Sequence, residues 1–117
     1  MSKLNRINSS NWKDFFNLNL VYVMFSKNDC EQCKQLESEI NSSENLHSLE
    51  MCKIVLSDPG LAELKMEHRW ISNIDILPFN TIFSNGKMLE SWSGSSIEKF
   101  DSKLKKHMDR SEYQYNT

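Results

Sequence analysis

Two cysteines three positions apart, Cys30 and Cys33, are the residues whose type and spacing point most directly to chemistry. The apolar run 20–25 before them predicts a buried strand, and residues 34–40 after them predict a helix. A Cys-x-x-Cys pair at such a junction places the first sulfur at a helix N-terminus, where backbone N–H groups and the helix dipole favour a thiolate. The second sulfur lies one turn further on. The pair therefore predicts thiol–disulfide exchange.

The helix that follows the first cysteine predicts different roles for the two sulfurs. Cys33, Leu36 and Ile40 follow a helical spacing and share one face, so Cys33 should point towards the core. Cys30 should be the more accessible sulfur. We therefore expect Cys30 to attack a substrate disulfide and Cys33 to resolve the mixed disulfide.

Charged residues flank the cysteine pair and modulate it. Asp29 and Glu31 disfavour a thiolate at Cys30, and Lys27 and Lys34 partly offset them. We expect the pKa of Cys30 to be less depressed than in strongly oxidising dithiol proteins. Because a stabilised thiolate makes the disulfide form oxidising, this balance favours a reductase.

The composition is that of one ordinary domain. The chain has 117 residues, 38% of them apolar and 26% charged, with a formal net charge of −2. This balance gives no reason to expect nucleic acid or a membrane as partner, and no apolar run approaches the ~20 residues of a membrane span. Three cysteines and a polar N-terminus favour a cytoplasmic protein. We expect one domain over 1–109 and a flexible tail over 110–117.

The order of the elements predicts an α/β fold. Strands and helices alternate and end with a hairpin at Asn85-Gly86, which gives β-α-β-α-β-α-β-β-α and a mixed sheet between two helix layers. The predicted strands are 4–7, 20–25, 51–56, 79–83 and 87–92; the helices end near 18, 40, 69 and 109, and 70–77 is connecting chain.

At this point the chain resembles the thioredoxin family over residues 4–108. The resemblance implies a thioredoxin fold, with a central mixed sheet of about five strands flanked by about four helices. Three features carry it: the cysteine pair with Lys34 directly after it, the segment Ile74-Asp75-Ile76-Leu77-Pro78 before a strand, and the hairpin Phe83-Ser84-Asn85-Gly86-Lys87.

The resemblance also implies a mechanism. Pro78 would follow a cis peptide bond and face the cysteine pair, and the backbone of Leu77 would pair with an extended substrate segment. Trp70 is the first residue of the segment that leads to Pro78, and it lies either in the core or at the lip of the site. The chain would be a monomer that reduces or exchanges protein disulfides, with electrons from an external reductase and no dissociable cofactor.

The chain departs from the thioredoxin pattern at several positions. Glu31-Gln32 replaces Gly-Pro, and the aromatic residue before the first cysteine is missing unless Trp70 or Phe79 replaces it from elsewhere. Met24 stands where the family keeps a buried Asp that assists proton transfer. The Gly-Gly-Asp run of glutaredoxins is absent after Pro78. These departures keep two rival interpretations open: a redox-inactive adaptor for a protein partner, and a regulatory redox sensor.

Metal ligation is a further alternative for the cysteine pair. Zinc needs about four ligands, and Cys52 and His47 are the nearby candidates. Cys52 lies in an apolar strand and reads as a buried core thiol, so we expect no metal site. Surface or helix-end positions are predicted for His47, His68 and His107, and exposed positions for Glu37, Glu39 and the Lys103–Lys106 run.

Overall fold

The chain forms one sheet, and its elements follow the predicted order. A computed structural model describes residues 2–43 and 49–115. None of the helices within these ranges has both the length and the apolar character needed to cross a membrane. The strands are β1 Asn5–Arg6, β2 Val21–Ser26, β3 Glu50–Val55, β4 Phe79–Ser84 and β5 Lys87–Ser93. The helices are α1 Trp12–Phe16, α2 Glu31–Ser42, α3 Ala62–Glu67 and α4 Ile97–Tyr115, with 3-10 turns at Pro59–Leu61 and Arg69–Asn73.

The strand order is β1-β3-β2-β4-β5, with β2 at the centre. β2 pairs in parallel with β3 and antiparallel with β4. The predicted mixed sheet of five strands is therefore confirmed. The hairpin between β4 and β5 turns at Asn85 and Gly86, whose φ angles of 52° and 84° lie in the left-handed region that an Asn-Gly turn supplies.

Two apolar clusters cover the two faces of the sheet. All six residues of β2 are buried, and they alternate between the faces because successive strand side chains point to opposite sides. Val21, Val23 and Phe25 face α1 and α3, whereas Tyr22 and Met24 face α2 and α4. The helices contribute Trp12, Phe16 and Leu64 to the first cluster and Leu36, Ile40, Phe100 and Leu104 to the second. Packing on both faces therefore fixes β2 up to its last residue, after which the chain turns towards Cys30.

The region after β3 differs from the single helix that the sequence predicts to end near residue 69. Asp58 caps a 3-10 turn, because its carboxylate accepts a hydrogen bond from the Gly60 N–H. The α-helix that follows ends at Glu67. His68 caps that end, as predicted, but its ring is half-buried and lies 5.3 Å from the ring of Phe16. Burial lowers the pKa of His68. Aromatic neighbours of His68 come from α1 and from Phe83 on β4, so the helical pattern alone does not reveal them.

Helix α4 continues to Tyr115, further than the end near Asp109 that its apolar stripe predicted. No glycine or proline occurs between these two residues, so nothing in the sequence interrupts the helix there.

A cluster of charges ties α4 to β5. The carboxylate of Glu90 accepts hydrogen bonds from Lys103 at 2.7 Å and contacts the His107 ring at 3.0 Å and Lys106 at 3.5 Å. These contacts, those from Lys103 and His107 first, lower the pKa of Glu90 to about 2. The surface position predicted for His107 is wrong, since its side chain is only 5% exposed. Lys103 is half-buried, and its predicted solvent-facing position is also corrected.

Candidate functional site

Cys30 lies where β2 leads into α2, and the predicted junction is confirmed. β2 ends at Ser26, and a short turn closes when the Cys30 N–H donates to the Lys27 carbonyl at 3.3 Å. Cys30 is the N-cap of α2, and its Sγ accepts from the Cys33 N–H at 3.1 Å. An N–H donor and the helix dipole both stabilise negative charge on this sulfur. The position therefore favours a thiolate once the pair is reduced.

Cys33 lies one turn further on, bonded to Cys30 in a disulfide. The two Cα atoms are 5.3 Å apart, a usual separation for a disulfide. Cys33 is 3% exposed, whereas Cys30 is half-buried at the start of the helix. The predicted difference between an accessible and a shielded sulfur is confirmed.

The segment before β4 reaches the same end of the sheet. Phe79, the first residue of β4, pairs with Phe25 near the end of β2, so Pro78 lies beside the strand end that leads to Cys30. The Leu77–Pro78 peptide bond is cis, the geometry that the resemblance implied. The Pro78 carbonyl accepts from the Gly94 N–H at 2.9 Å. Within the described part of the chain, the half-buried Leu77 has no backbone hydrogen bond.

Trp70 and Phe79 pack on one another beside this segment. Their ring centroids are 6.1 Å apart, and Trp70 also lies 5.4 Å from Phe25 and 6.3 Å from Phe83. Trp70 therefore packs against the core, and the same ring also borders open space. We name that space the apolar groove; its volume is about 590 Å³, and it is lined by Trp70, Asn73, Ile74, Asp75, Ile76, Phe79, Met88 and Ser93.

Thioredoxins are among the solved structures similar to this chain. Thioredoxin NaTrxh from Nicotiana alata is 27% identical, with a TM-score of 0.72 over 91% of this chain and 93% of that chain. The thioredoxin of Trypanosoma brucei brucei is 18% identical, with a TM-score of 0.73 over 91% of each chain. A chain in the complex of ferredoxin:thioredoxin reductase with thioredoxin f2 is 12% identical, with a TM-score of 0.72 over 92% of this chain and 97% of that chain. No protein-family model and no curated protein sequence matches the chain.

The chain has a thioredoxin-like fold. Its five-stranded sheet with four helices is the thioredoxin fold, and its cysteine pair occupies the junction of β2 and α2. The disulfide between Cys30 and Cys33 is a group capable of redox chemistry within the chain itself.

The charges around the cysteine pair lie on the surface of the protein. Asp29, Glu31 and Lys34 are all exposed. The Lys34 ammonium lies 3.4 Å from the Glu31 carboxylate, and these side chains are 59% and 87% exposed. Such a pair contributes little stability, but its two charges offset one another. Asp29 adds a negative charge next to Cys30, which Lys27 partly offsets.

The position of the missing acid is filled by an apolar side chain. Met24 is fully buried on the α2 side of the sheet, opposite Lys53 in the parallel register of β2 and β3. Lys53 bonds both carboxylate oxygens of Glu37, at 2.9 and 3.0 Å. The exposed position predicted for Glu37 is therefore wrong: its side chain is 18% exposed, because β3 supplies a cation beneath α2. Glu39 is also half-buried, and its carboxylate accepts a hydrogen bond from the Gln35 side chain at 3.3 Å.

Cys52 is a buried core thiol, as predicted. It is fully buried in the cluster beneath α1 and α3, and burial, with a smaller contribution from Glu50, raises its pKa to about 12. His47 lies outside the described residues. Within the described ranges, no group of three or more His, Cys, Asp or Glu side chains could hold a metal ion.

Sequence reasoning missed two features near the pair. The apolar groove includes Ile76, 60% exposed, and Met88, 38% exposed. The signal available in the sequence was the number of apolar residues in the connecting chain 70–77, Ile76 among them. The Glu37–Lys53 pair was missed as well, although Glu37 stands four residues after Cys33 and so shares its helix face.

Proposed function

We propose that this protein is a thiol–disulfide oxidoreductase that acts on protein disulfides through Cys30 and Cys33. One observation carries the proposal: a half-buried sulfur at the N-cap of α2 accepts a backbone N–H, with its buried partner one turn behind it. This arrangement gives one nucleophile that a substrate can approach and one that it cannot. A dithiol that exchanges disulfides in two steps needs both.

The reaction starts from the reduced pair. The Cys30 thiolate attacks one sulfur of the substrate disulfide, and the other substrate sulfur leaves as a thiolate. Cys33 then attacks Cys30, which closes the Cys30–Cys33 disulfide and releases the second substrate sulfur. Two electrons have moved to the substrate, and an external reductase returns two electrons to the pair.

We propose that an extended substrate segment binds beside Leu77 and Pro78. The backbone groups of Leu77 make no hydrogen bond within the described chain and are available to pair with such a segment. Trp70 and Phe79 both line the apolar groove. The groove offers an apolar surface to other side chains of the bound substrate segment. A protein substrate would use this surface, whereas a small disulfide would not need it.

The reducing direction is part of the proposal. Asp29 adds negative charge near Cys30, while Glu31 and Lys34 offset each other. Negative charge nearby disfavours the thiolate, and a less stable thiolate makes the disulfide form less oxidising. Asp29, Glu31 and Lys34 therefore modulate the cysteine pair by keeping its reduction potential low.

We propose a monomer that receives electrons from a reductase in the cytoplasm. Every group named in the reaction belongs to one chain, so a second copy is not required. One similar structure is a complex of a reductase with a thioredoxin, which supports a reductase as electron donor. A chain with three cysteines suits a compartment that keeps thiols reduced.

Insulin reduction followed by turbidity, with dithiothreitol as the electron source, tests the proposal. We expect the wild-type protein to exceed the dithiothreitol background and Cys30→Ser to fall to it. Cys52→Ala, which also removes one thiol, should keep the wild-type rate. A folded wild-type protein that stays at the background would contradict the proposal. That result would favour the adaptor, the rival that the buried Met24 at the acid position supports.

A further inference from the structure

The ion pair between Glu37 and Lys53 lies directly behind the shielded cysteine. Glu37 is four residues after Cys33 on α2, so the two side chains share a face with Cβ atoms about 5–6 Å apart. Helix side chains lean towards the N-terminus, which directs Glu37 back towards Cys33. The side chains of Glu37 and Lys53 are only 18% and 24% exposed. The pair is thus partly buried between α2 and β3.

Contacts on both sides fix the Glu37 carboxylate. The Lys53 Nζ lies 2.9 and 3.0 Å from its two oxygens, and the Ser2 hydroxyl donates to one of them at 2.7 Å. Lys53 projects from β3 opposite the buried Met24. The pair therefore occupies the layer between α2 and the sheet, in which Cys33 is also buried.

The negative charge of Glu37 acts on this interior layer. Burial first, and the charge of Glu37 second, raise the pKa of Tyr22 on β2, whose hydroxyl donates to Asn80. Among the other groups around α2, Lys3 bonds the Ser43 carbonyl, and Asp101 follows the buried Phe100 on α4. Glu31 and Lys34 lie on the exposed face of α2.

The second step of the exchange needs a proton acceptor at this depth. The Cys33 thiol must lose its proton before its sulfur attacks Cys30, because the thiolate is the nucleophile. Cys33 is 3% exposed, so bulk water has little access to it. The neighbouring Met24 cannot accept a proton, whereas a carboxylate one turn away can do so directly or through one water molecule.

We propose that Glu37, positioned by Lys53, accepts the proton of the Cys33 thiol during the second step. The inference rests on the proposed function. As the proton passes to Glu37, the Cys33 sulfur bonds to Cys30 and the bond between Cys30 and the substrate sulfur breaks. The substrate leaves as a thiolate and takes a proton from solvent, while Glu37 returns its proton to solvent at the Ser2 edge. The substrate disulfide is the oxidant: it takes up two electrons as the Cys30–Cys33 pair is oxidised.

Stopped-flow mixing of the reduced protein with 5,5′-dithiobis(2-nitrobenzoate) isolates this step. Attack by Cys30 releases one thionitrobenzoate in a bimolecular phase, and attack by Cys33 releases a second in a unimolecular phase. We expect Glu37→Gln to slow only the second phase, by about 100-fold at pH 7, the usual range for a lost general base. Its rate should keep rising with pH where the wild-type rate has levelled off.

Two further variants separate proton transfer from structure. Glu39→Gln alters a half-buried carboxylate on the same helix and should leave both phases unchanged. Glu37→Asp keeps a carboxylate and should restore part of the second-phase rate and the wild-type shape of its pH profile. If Glu37→Gln keeps the wild-type pH profile, or slows both phases equally, the inference is overturned. Failure of the proposed function has a different signature, since it removes insulin reduction from the wild-type protein itself.

Discussion

Replacing Glu90 by glutamine should destabilise the fold at neutral pH and lose most of that effect in acid. Glu90 joins β5 to α4 through Lys103 and His107, and its side chain is 16% exposed. Glutamine keeps the size of the side chain but removes the negative charge. The buried His107 then loses an anionic partner, and α4 loses its ionic contact with the sheet edge.

The magnitude follows from the pKa of this carboxyl. A pKa of about 2 in the folded protein, against an ordinary 4.5, corresponds to about 3 kcal/mol as an upper limit. Solvent screening reduces this figure, because Lys103 is 27% exposed and Lys106 is 53% exposed. We therefore expect Glu90→Gln to lower the free energy of unfolding at pH 7 by about 1–2 kcal/mol.

The pH dependence of this contribution has a fixed sign. Because the pKa of Glu90 is lower in the folded chain, the folded state prefers the ionised form. The stabilisation is complete above about pH 4.5 and is lost as the pH falls towards about 2. The stability difference between the wild-type protein and Glu90→Gln should narrow across the same interval.

Urea denaturation at several pH values between 2 and 7 measures the difference. Glu63→Gln is the matched control, because Glu63 pairs with Lys13 at 2.7 Å on the surface, with side chains 61% and 59% exposed. That change should cost less than about 1 kcal/mol. A loss for Glu90→Gln that stays constant from pH 7 to pH 2, or that matches the control, would refute this reasoning.

Two further predictions concern Trp70 and Cys52. Trp70→Leu should raise the KM for insulin about 10-fold, equivalent to about 1.4 kcal/mol of binding free energy. The rate towards 5,5′-dithiobis(2-nitrobenzoate) should stay unchanged, because only the protein substrate needs the apolar groove. Equal losses on both substrates would argue against a docking role. Cys52, whose pKa is about 12, should react with iodoacetamide about 1,000-fold more slowly than an exposed thiol at pH 8. Peptide mass spectrometry of the native and urea-unfolded protein measures this, and rapid native labelling would show that Cys52 is not shielded.

The structural features that depend on local sequence pattern could be predicted from the sequence. The unbroken apolar run around Val23 gave the central strand, because a strand covered on both faces has no polar side. Asn85-Gly86 gave the hairpin, since the dipeptide tolerates the left-handed backbone that the turn needs. Cys33 was placed in the core from its spacing to Leu36 on a helix.

The sequence could not predict pairings between distant residues. Glu37 and His107 both looked like surface residues of helices, but each meets a charged partner from a strand, Lys53 and Glu90. Helical periodicity places a side chain on a face without showing what the sheet offers opposite it. Trp70 belongs to the same class, because its ring contacts Phe25 on β2, which is distant in the sequence, as well as Phe79 on β4.

The loss of an acid at position 24 gives the two functional hypotheses different requirements. An adaptor needs the apolar groove and has no use for a carboxylate behind a buried thiol. An exchange enzyme must deprotonate that thiol, so a buried Met24 leaves it in need of another acceptor. The Glu37–Lys53 pair is a carboxylate with its countercharge, one helical turn behind Cys33 and opposite Met24 in the register. Partial burial of this pair carries a desolvation cost that surface positions would avoid. Proton transfer to Glu37 would account for that cost, and the pH profile of the second phase is the measurement that tests it.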